Sequence, residues 1–319
     1  MRRPNLIMRA AILLLVLVSL ALSSTLLAQD PSPPVAKPNG PTVQLSLIVT
    51  DSKDKSLNTI SKEEVRLVED KVEQTVLSVE PDVRPVDCGI AIDASGSVRR
   101  LIESILAAAK FIIVNRQPKD EIFLERFISS DKIERLHDFS SDVNSLTAAL
   151  DLLQIEGGQS AVIDAVHTAG KYVADHNRNA DRRKVLVVFT DGEDRKSYYN
   201  VEKLVKLLRQ ERVQVFIVGL VVELDRDPRF TRPGARDRAE KLLKTIAEET
   251  GGRVFFPNDQ HELVDSVTQI IHDLRGQFRI TYQSSNSEKK DFRKVEVNLI
   301  SPAGEKRKAI VPRGYESKF

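Results

Sequence analysis

From Val86 to Leu274 the chain repeats one grammar, short apolar runs separated by longer amphipathic stretches. The apolar runs predict strands at residues 86–92, 121–127, 132–136, 185–190, 213–218 and 253–256. Apolar residues at helical spacing predict helices over 98–114, 143–153, 161–175, 201–209, 235–249 and 260–274. In the helix from Val98, residues Leu101, Ile105, Ala108, Ala109 and Ile112 fall on one stripe. Val185-Leu186-Val187-Val188-Phe189 shows no polar alternation, as a central strand covered on both faces requires. The pattern therefore predicts an α/β fold, a doubly wound and mostly parallel sheet.

The flanks follow a different rule. Val43, Leu45, Leu47 and Val49 alternate with other residues, and Val65, Leu67, Val76 and Val79 supply further short β candidates. Charged residues at 51–55 and 69–73 suggest turns between them. After Gly276 alternation returns in Phe278, Ile280 and Tyr282 and in Val295, Val297 and Leu299. An isolated hairpin is marginal in water, so residues 276–319 are expected to pair with residues 42–84 in one small β unit around an α/β domain at 85–275.

The amino terminus belongs to neither unit. Arg2, Arg3 and Arg9 precede an uncharged stretch from Ala10 to Ala28 that lightens to Ser23, Ser24 and Thr25. That order predicts a signal peptide over residues 1–28 and an exported, periplasmic or secreted protein. The alternative is an inner-membrane anchor formed by residues 10–28. Residues 29–41, with Pro31, Pro33, Pro34, Pro38 and Pro41, read as an extended linker. Cys88 is the only cysteine, so no internal disulfide forms and the thiol is expected in the core. With 48 basic against 46 acidic residues the chain lacks the basic excess that nucleic-acid binding needs.

Three loops carry oxygen donors at strand ends or helix starts. Asp93-Ala94-Ser95-Gly96-Ser97 follows the first α/β strand, Gly157-Gly158-Gln159-Ser160 precedes a helix, and Thr190-Asp191-Gly192-Glu193-Asp194 follows the most apolar strand. In an open parallel sheet, ligands gather at the carboxyl ends of strands where strand order reverses, so the loops can meet. Carboxylates and hydroxyls without His or Cys suit a hard divalent cation, Mg²⁺ first and Mn²⁺ or Ca²⁺ as alternatives. Asp93, Ser95, Ser97, Ser160 and Asp191 are the candidate metal residues. Gly96 is read as letting the backbone bend past the ion. Two carboxylates only just neutralise such an ion, which leaves it attraction for one more anionic ligand.

Asp93-x-Ser95-x-Ser97, the hydroxyl after Gly157-Gly158, and Thr190-Asp191-Gly192 together resemble the metal-ion-dependent adhesion site of the von Willebrand factor A family. The resemblance covers residues 85–274 and implies direct metal contact by Ser95, Ser97 and the loop hydroxyl, with Asp93 and Asp191 acting through water or as charge partners. It departs at Ser160, where the family usually has Thr; Ser keeps the hydroxyl but lacks the methyl that stiffens the rotamer. The flanks, including Val49-Thr50-Asp51, Val68-Glu69-Asp70 and the tail ending near Arg313-Gly314-Tyr315, resemble a bacterial exported subgroup whose β elements wrap the A domain.

Each candidate also has a structural explanation. The serines and Asp93 suit a helix-capping loop, and Asp191 suits a turn before Gly192. Glu193 and Asp194 read as surface acids, Asp164 as a dipole-favoured acid on a first helical turn, and the five histidines as free of metal spacing. An aspartyl phosphatase needs a carboxylate two residues after the nucleophile, and Ser95 stands there instead; a Gly-x-Ser-x-Gly elbow and a phosphate loop are absent. The expectation is a non-enzymatic module that engages a protein partner's carboxylate through a divalent cation. The alternatives are an exported scaffold with an empty site and a metal-dependent phosphatase.

Overall fold

A computed structural model describes residues 40–178, 181–225, 234–286, 291–301 and 305–316. The predicted signal peptide and residues 29–39 of the linker lie outside the described residues. Among the described residues no helix is long and apolar enough to cross a membrane.

The α/β domain is built on six strands: β4 (Val86–Asp93), β5 (Glu121–Ser129), β6 (Lys132–Ser140), β7 (Arg183–Thr190), β8 (Val213–Gly219) and β9 (Val254–Phe255). Their order is β6-β5-β4-β7-β8-β9, parallel except for β6 at one edge. The chain winds outward from β4 to β6, then crosses to β7 and winds the other way. Strand order therefore reverses between β4 and β7, and a crevice opens beyond their carboxyl ends.

Every residue of β4 is buried, as are the last six of β7. Alternate residues serve opposite cores. Val185, Val187 and Phe189 face α1 (Ile102–Val114), α2 (Val143–Asp151) and α6 (Gln260–Arg275). Leu186 and Val188 face α3 (Val162–Asp175), α4 (Val201–Glu211) and α5 (Ala235–Thr250). Burying each such side chain contributes roughly 1.5–3 kcal/mol, which fixes this strand firmly between the two cores. The fold is the doubly wound sheet that the periodicity predicted. Cys88 is buried within it.

The helix expected from Val98 begins later. Residues Gly96–Leu101 form a 3₁₀ turn, and α1 starts at Ile102. A six-residue apolar pattern cannot separate a period of 3.0 from one of 3.6, so the sequence reads both as one helix.

The second sheet has seven antiparallel strands: β1 (Thr42–Thr50), β2 (Val65–Glu69), β3 (Val72–Pro81), β10 (Phe278–Gln283), β11 (Phe292–Leu299), β12 (Lys308–Ile310) and β13 (Gly314–Glu316). Their order is β12-β1-β10-β3-β2-β11-β13. β10 lies between β1 and β3, and the edge strands β12 and β13 are joined by only residues 311–313, so the sheet curls until its edges meet in the chain. Asp70 and Lys71, at φ 48° and 72°, make the tight turn from β2 to β3.

Glu69 departs from the predicted turn. It ends β2 fully buried and accepts hydrogen bonds from Tyr282 Oη at 2.6 Å, Ser284 Oγ at 2.7 Å, Asn286 Nδ2 at 2.6 Å and Tyr315 Oη at 3.0 Å. An acid inside a sheet is stable where donors surround it, and those donors come from segments more than two hundred residues away.

Candidate metal centre

Asp93 ends β4 and is wholly buried. Its Oδ1 accepts the Ser95 backbone N–H at 3.0 Å, which turns the chain sharply off the strand. Its Oδ2 accepts two hydroxyls, Ser160 Oγ at 2.9 Å and Thr190 Oγ1 at 2.7 Å. One carboxylate thus joins the ends of β4 and β7 to the loop before α3. Ser95 Oγ lies 2.9 Å from Ser97 Oγ, and Ser97 is hydrogen-bonded in turn to the Asp191 side chain. The structure brings Asp93, Ser95, Ser97, Ser160 and Asp191 into one connected group of oxygens.

Asp191 is also buried, and its Oδ1 accepts the Glu193 backbone N–H at 2.9 Å. Burial pushes both carboxyl groups above the usual carboxylate range, and the charge of Asp93 pushes Asp191 further. Among the described residues neither acid is paired with a Lys, Arg or His. Two adjacent buried carboxylates without a cation are costly, and one divalent ion bound there would remove that cost. The donors are all oxygens, which fits a hard cation.

Two residues that brace the candidate site escaped the sequence-based reading. Thr190 donates to Asp93 and its Oγ1 also accepts the Gly192 N–H at 3.0 Å, so it couples the two carboxylate loops. Its signal was a hydroxyl closing the most apolar strand. Asp164 was assigned to the helix dipole alone. It is buried and accepts from Ser130 Oγ at 2.5 Å, Tyr198 N–H at 2.7 Å and Tyr199 N–H at 2.9 Å, pinning the loop after Asp191 to α3. Its signal was an acid among Val162, Ile163, Ala165 and Val166.

The Glu193 N–H bonds Asp191, but the carboxylates of Glu193 and Asp194, half-buried rather than at the surface, bond other partners. Glu193 pairs with Arg195 at 2.5 Å, and Asp194 accepts the Ile163 N–H at 3.1 Å at the start of α3. The bend assigned to Gly96 requires no left-handed backbone. The φ of this glycine lies outside the left-handed region, and a Cβ there would meet no atom within 4 Å. Gly192 is the glycine that the backbone demands: its φ is +78° and a Cβ would lie 2.8 Å from Leu243.

A second group of potential ligands sits at the opposite end of the sheet. Asp87, Glu121 and His176 hold ligand atoms within 4.8 Å of one another. This group is closed by its own chain, because Arg182 Nε donates to Asp87 at 2.6 Å and Asn177 Nδ2 to Glu121 at 2.9 Å. His176, read from sequence as free of metal spacing, bonds Glu121 at 2.9 Å and stacks on Phe139. A groove of about 760 Å³ is lined by residues such as Lys53, Arg253, Phe256 and His272 and by none of the five candidate metal residues.

A family model for the von Willebrand factor type A domain matches residues 87–269, more than half of the chain. The chain belongs to that family. The match spans β4 through most of α6 and contains all five candidate metal residues. No curated protein matches the chain. Solved structures that resemble this A domain include an aerotolerance-related membrane protein of Bacteroides fragilis carrying multiple mutations to serine, 21% identical, with a TM-score of 0.44 over 59% of this chain and 98% of that one. A von Willebrand factor type A protein of Catenulispora acidiphila is 12% identical, with a TM-score of 0.49 over 86% of this chain and 74% of that one. Proximal thread matrix protein 1 of the mussel byssus, described with a zinc-occupied metal-ion-dependent adhesion motif, is 19% identical, with a TM-score of 0.48 over 63% of this chain and 48% of that one.

Proposed function

We propose that this A domain is an exported, non-enzymatic binding module that holds a divalent cation, Mg²⁺ in the first instance, and uses it to capture an acidic residue of a protein partner. The supporting observation is the pair Asp93 and Asp191, both buried and neither matched by a basic side chain among the described residues. Ser95, Ser97 and Ser160 would supply neutral oxygens, and Asp93 and Asp191 the compensating charge. With two negative charges around it the ion keeps enough Lewis acidity to take one external carboxylate. Asp93 is bonded to hydroxyls on two sides and Ser95 occupies the position of a phosphatase's general acid, which favours binding over phosphoryl transfer. The positively charged, apolar amino-terminal stretch supports export to the periplasm or beyond.

Calorimetric titration of the full chain with Mg²⁺, Mn²⁺, Ca²⁺ and Zn²⁺ tests this reading. The expected result is one bound ion, lost in Asp93→Asn, and thermal stabilisation that reaches about 2.7 kcal/mol at a hundredfold excess over Kd. Absence of both heat and stabilisation with every ion would leave an exported scaffold.

A further inference from the structure

The rim of the metal centre carries charge that the fold does not use. Arg99 and Arg100 follow Ser97 in the 3₁₀ turn Gly96–Leu101, both are exposed, and neither forms an ion pair among the described residues. They stand immediately before α1, where the helix dipole disfavours positive charge, so they do not serve local stability. Three residues complete a 3₁₀ turn, which sets Arg100 directly above Ser97, about 6 Å along the axis.

The ground beside this turn is open. A Cβ at Gly96 or at Gly157 would meet nothing within 4 Å, and neither glycine has a left-handed φ. The loops that carry them are joined, because the Glu156 N–H donates to Ala94 O at 3.1 Å. The two loops next to the candidate metal residues thus each carry a glycine with open space above it, and the two guanidinium groups without an ion pair follow in the same turn as Gly96. In an extended peptide, alternate side chains point the same way and stand about 6.6 Å apart. That spacing matches the step from Ser97 to Arg100.

Resting on the proposed capture of a partner carboxylate, we infer that the partner is an extended acidic segment with acids at positions i and i+2. The first carboxylate takes the cation and the second takes Arg100. Arg100 is then a specificity determinant that acts outside the metal shell.

Fluorescence anisotropy on the full chain in saturating Mg²⁺ tests the inference with three labelled peptides, Gly-Asp-Gly-Glu-Gly, Gly-Asp-Gly-Gln-Gly and Gly-Asp-Glu-Gly-Gly. The first should bind about fivefold more tightly than the second, a preference of the size that an exposed ion pair supplies, and more tightly than the third. Arg100→Gln should bring the first two to equal affinity while leaving the Mg²⁺ titration unchanged, and added salt should shrink the preference in the unaltered protein. Equal affinities in the unaltered protein overturn the two-acid inference and leave the single-carboxylate reading standing. A preference that survives Arg100→Gln overturns the role of Arg100. If Mg²⁺ binds but none of the peptides does, the carboxylate reading and the inference built on it fall together.

Discussion

At the scale of single residues, the proposed metal centre depends on hydroxyls that fix carboxylates. Thr190 Oγ1 donates to Asp93 Oδ2 and receives the Gly192 N–H, so one atom sets the orientation of one loop and the start of the next. Thr190→Val keeps the shape and removes both bonds. It should weaken Mg²⁺ binding by about tenfold to a hundredfold, as removal of an outer-shell partner does, at a stability cost of about 1–2 kcal/mol. Calorimetry and urea unfolding of the same variant separate the two effects, and an unchanged Mg²⁺ affinity would remove Thr190 from the metal centre. Gly192→Ala meets a different barrier, a left-handed φ of +78° and a contact of 2.8 Å with Leu243. A loss of about 1–3 kcal/mol in urea unfolding is expected. Asp93, Ser95 and Ser97 were legible in sequence because alternate oxygen-bearing residues just after a strand form a pattern. Thr190 as a metal-centre residue and Asp164 were not, since each looks like an ordinary strand end or helix start until its distant partner is known.

At the scale of elements, strand pairs are held by buried acids whose partners lie far along the chain. Glu69 collects donors from Tyr282 on β10, from Ser284 and Asn286 just beyond it, and from Tyr315 on β13. Glu69→Ala strands buried hydroxyls and should cost about 3 kcal/mol or more in urea unfolding, while Glu69→Gln keeps an acceptor and should cost less. Periodicity reveals that β2 exists, yet it reads Glu69 as a turn because burial of an acid is decided by partners, not by neighbours. Glu125 on β5 is 1% exposed and lies 3.2 Å from Arg135 on β6. Burial outweighs the arginine and pushes its carboxyl up to about 7. The folded protein then holds this proton more tightly than the unfolded chain does. Its contribution to stability is complete below about pH 4.5 and is lost as pH rises through 7. Between pH 5 and pH 7.5 the urea midpoint of the unaltered protein should therefore fall more than that of Glu125→Gln. The metal centre is common to both proteins, so the difference isolates Glu125; parallel slopes would show that Arg135 keeps Glu125 ionised.

At the scale of the whole molecule, the described chain places the entry to its β unit and its proposed metal centre at opposite ends of β4. Both crossings between the β unit and the A domain, residues 82–85 and 276–277, join near the amino end of that strand, where the Asp82 N–H donates to Gln277 O at 2.8 Å and the Arg183 N–H to Pro85 O at 2.9 Å. Asp93 closes the other end of an eight-residue strand, a separation of about 25 Å at the rise of an extended chain. The β unit itself cannot form from one flank, because β10 fills the place between β1 and β3 and its core mixes Leu45, Leu47 and Leu67 with Ile280 and Tyr282. A chain ended after Gly276 loses four of the seven strands and leaves β1 without a partner on either side. The β2–β3 hairpin that remains is too small to hold its shape in water. Limited proteolysis should then cut residues 42–84 rapidly in the shortened chain and slowly in the full one. Mg²⁺ affinity should stay within about threefold, since changes at distant sites without shared partners act independently. A shortened chain that resists cleavage at residues 42–84 would mean that the amino-terminal strands are held by the A domain rather than by the tail. A large loss of metal binding would instead mean that the packing of Pro312 over Gly251 and the hydrogen bond from Arg253 to Asp54 O reach the metal centre through the sheet, and that the β wrapping sets the domain's affinity as well as its stability.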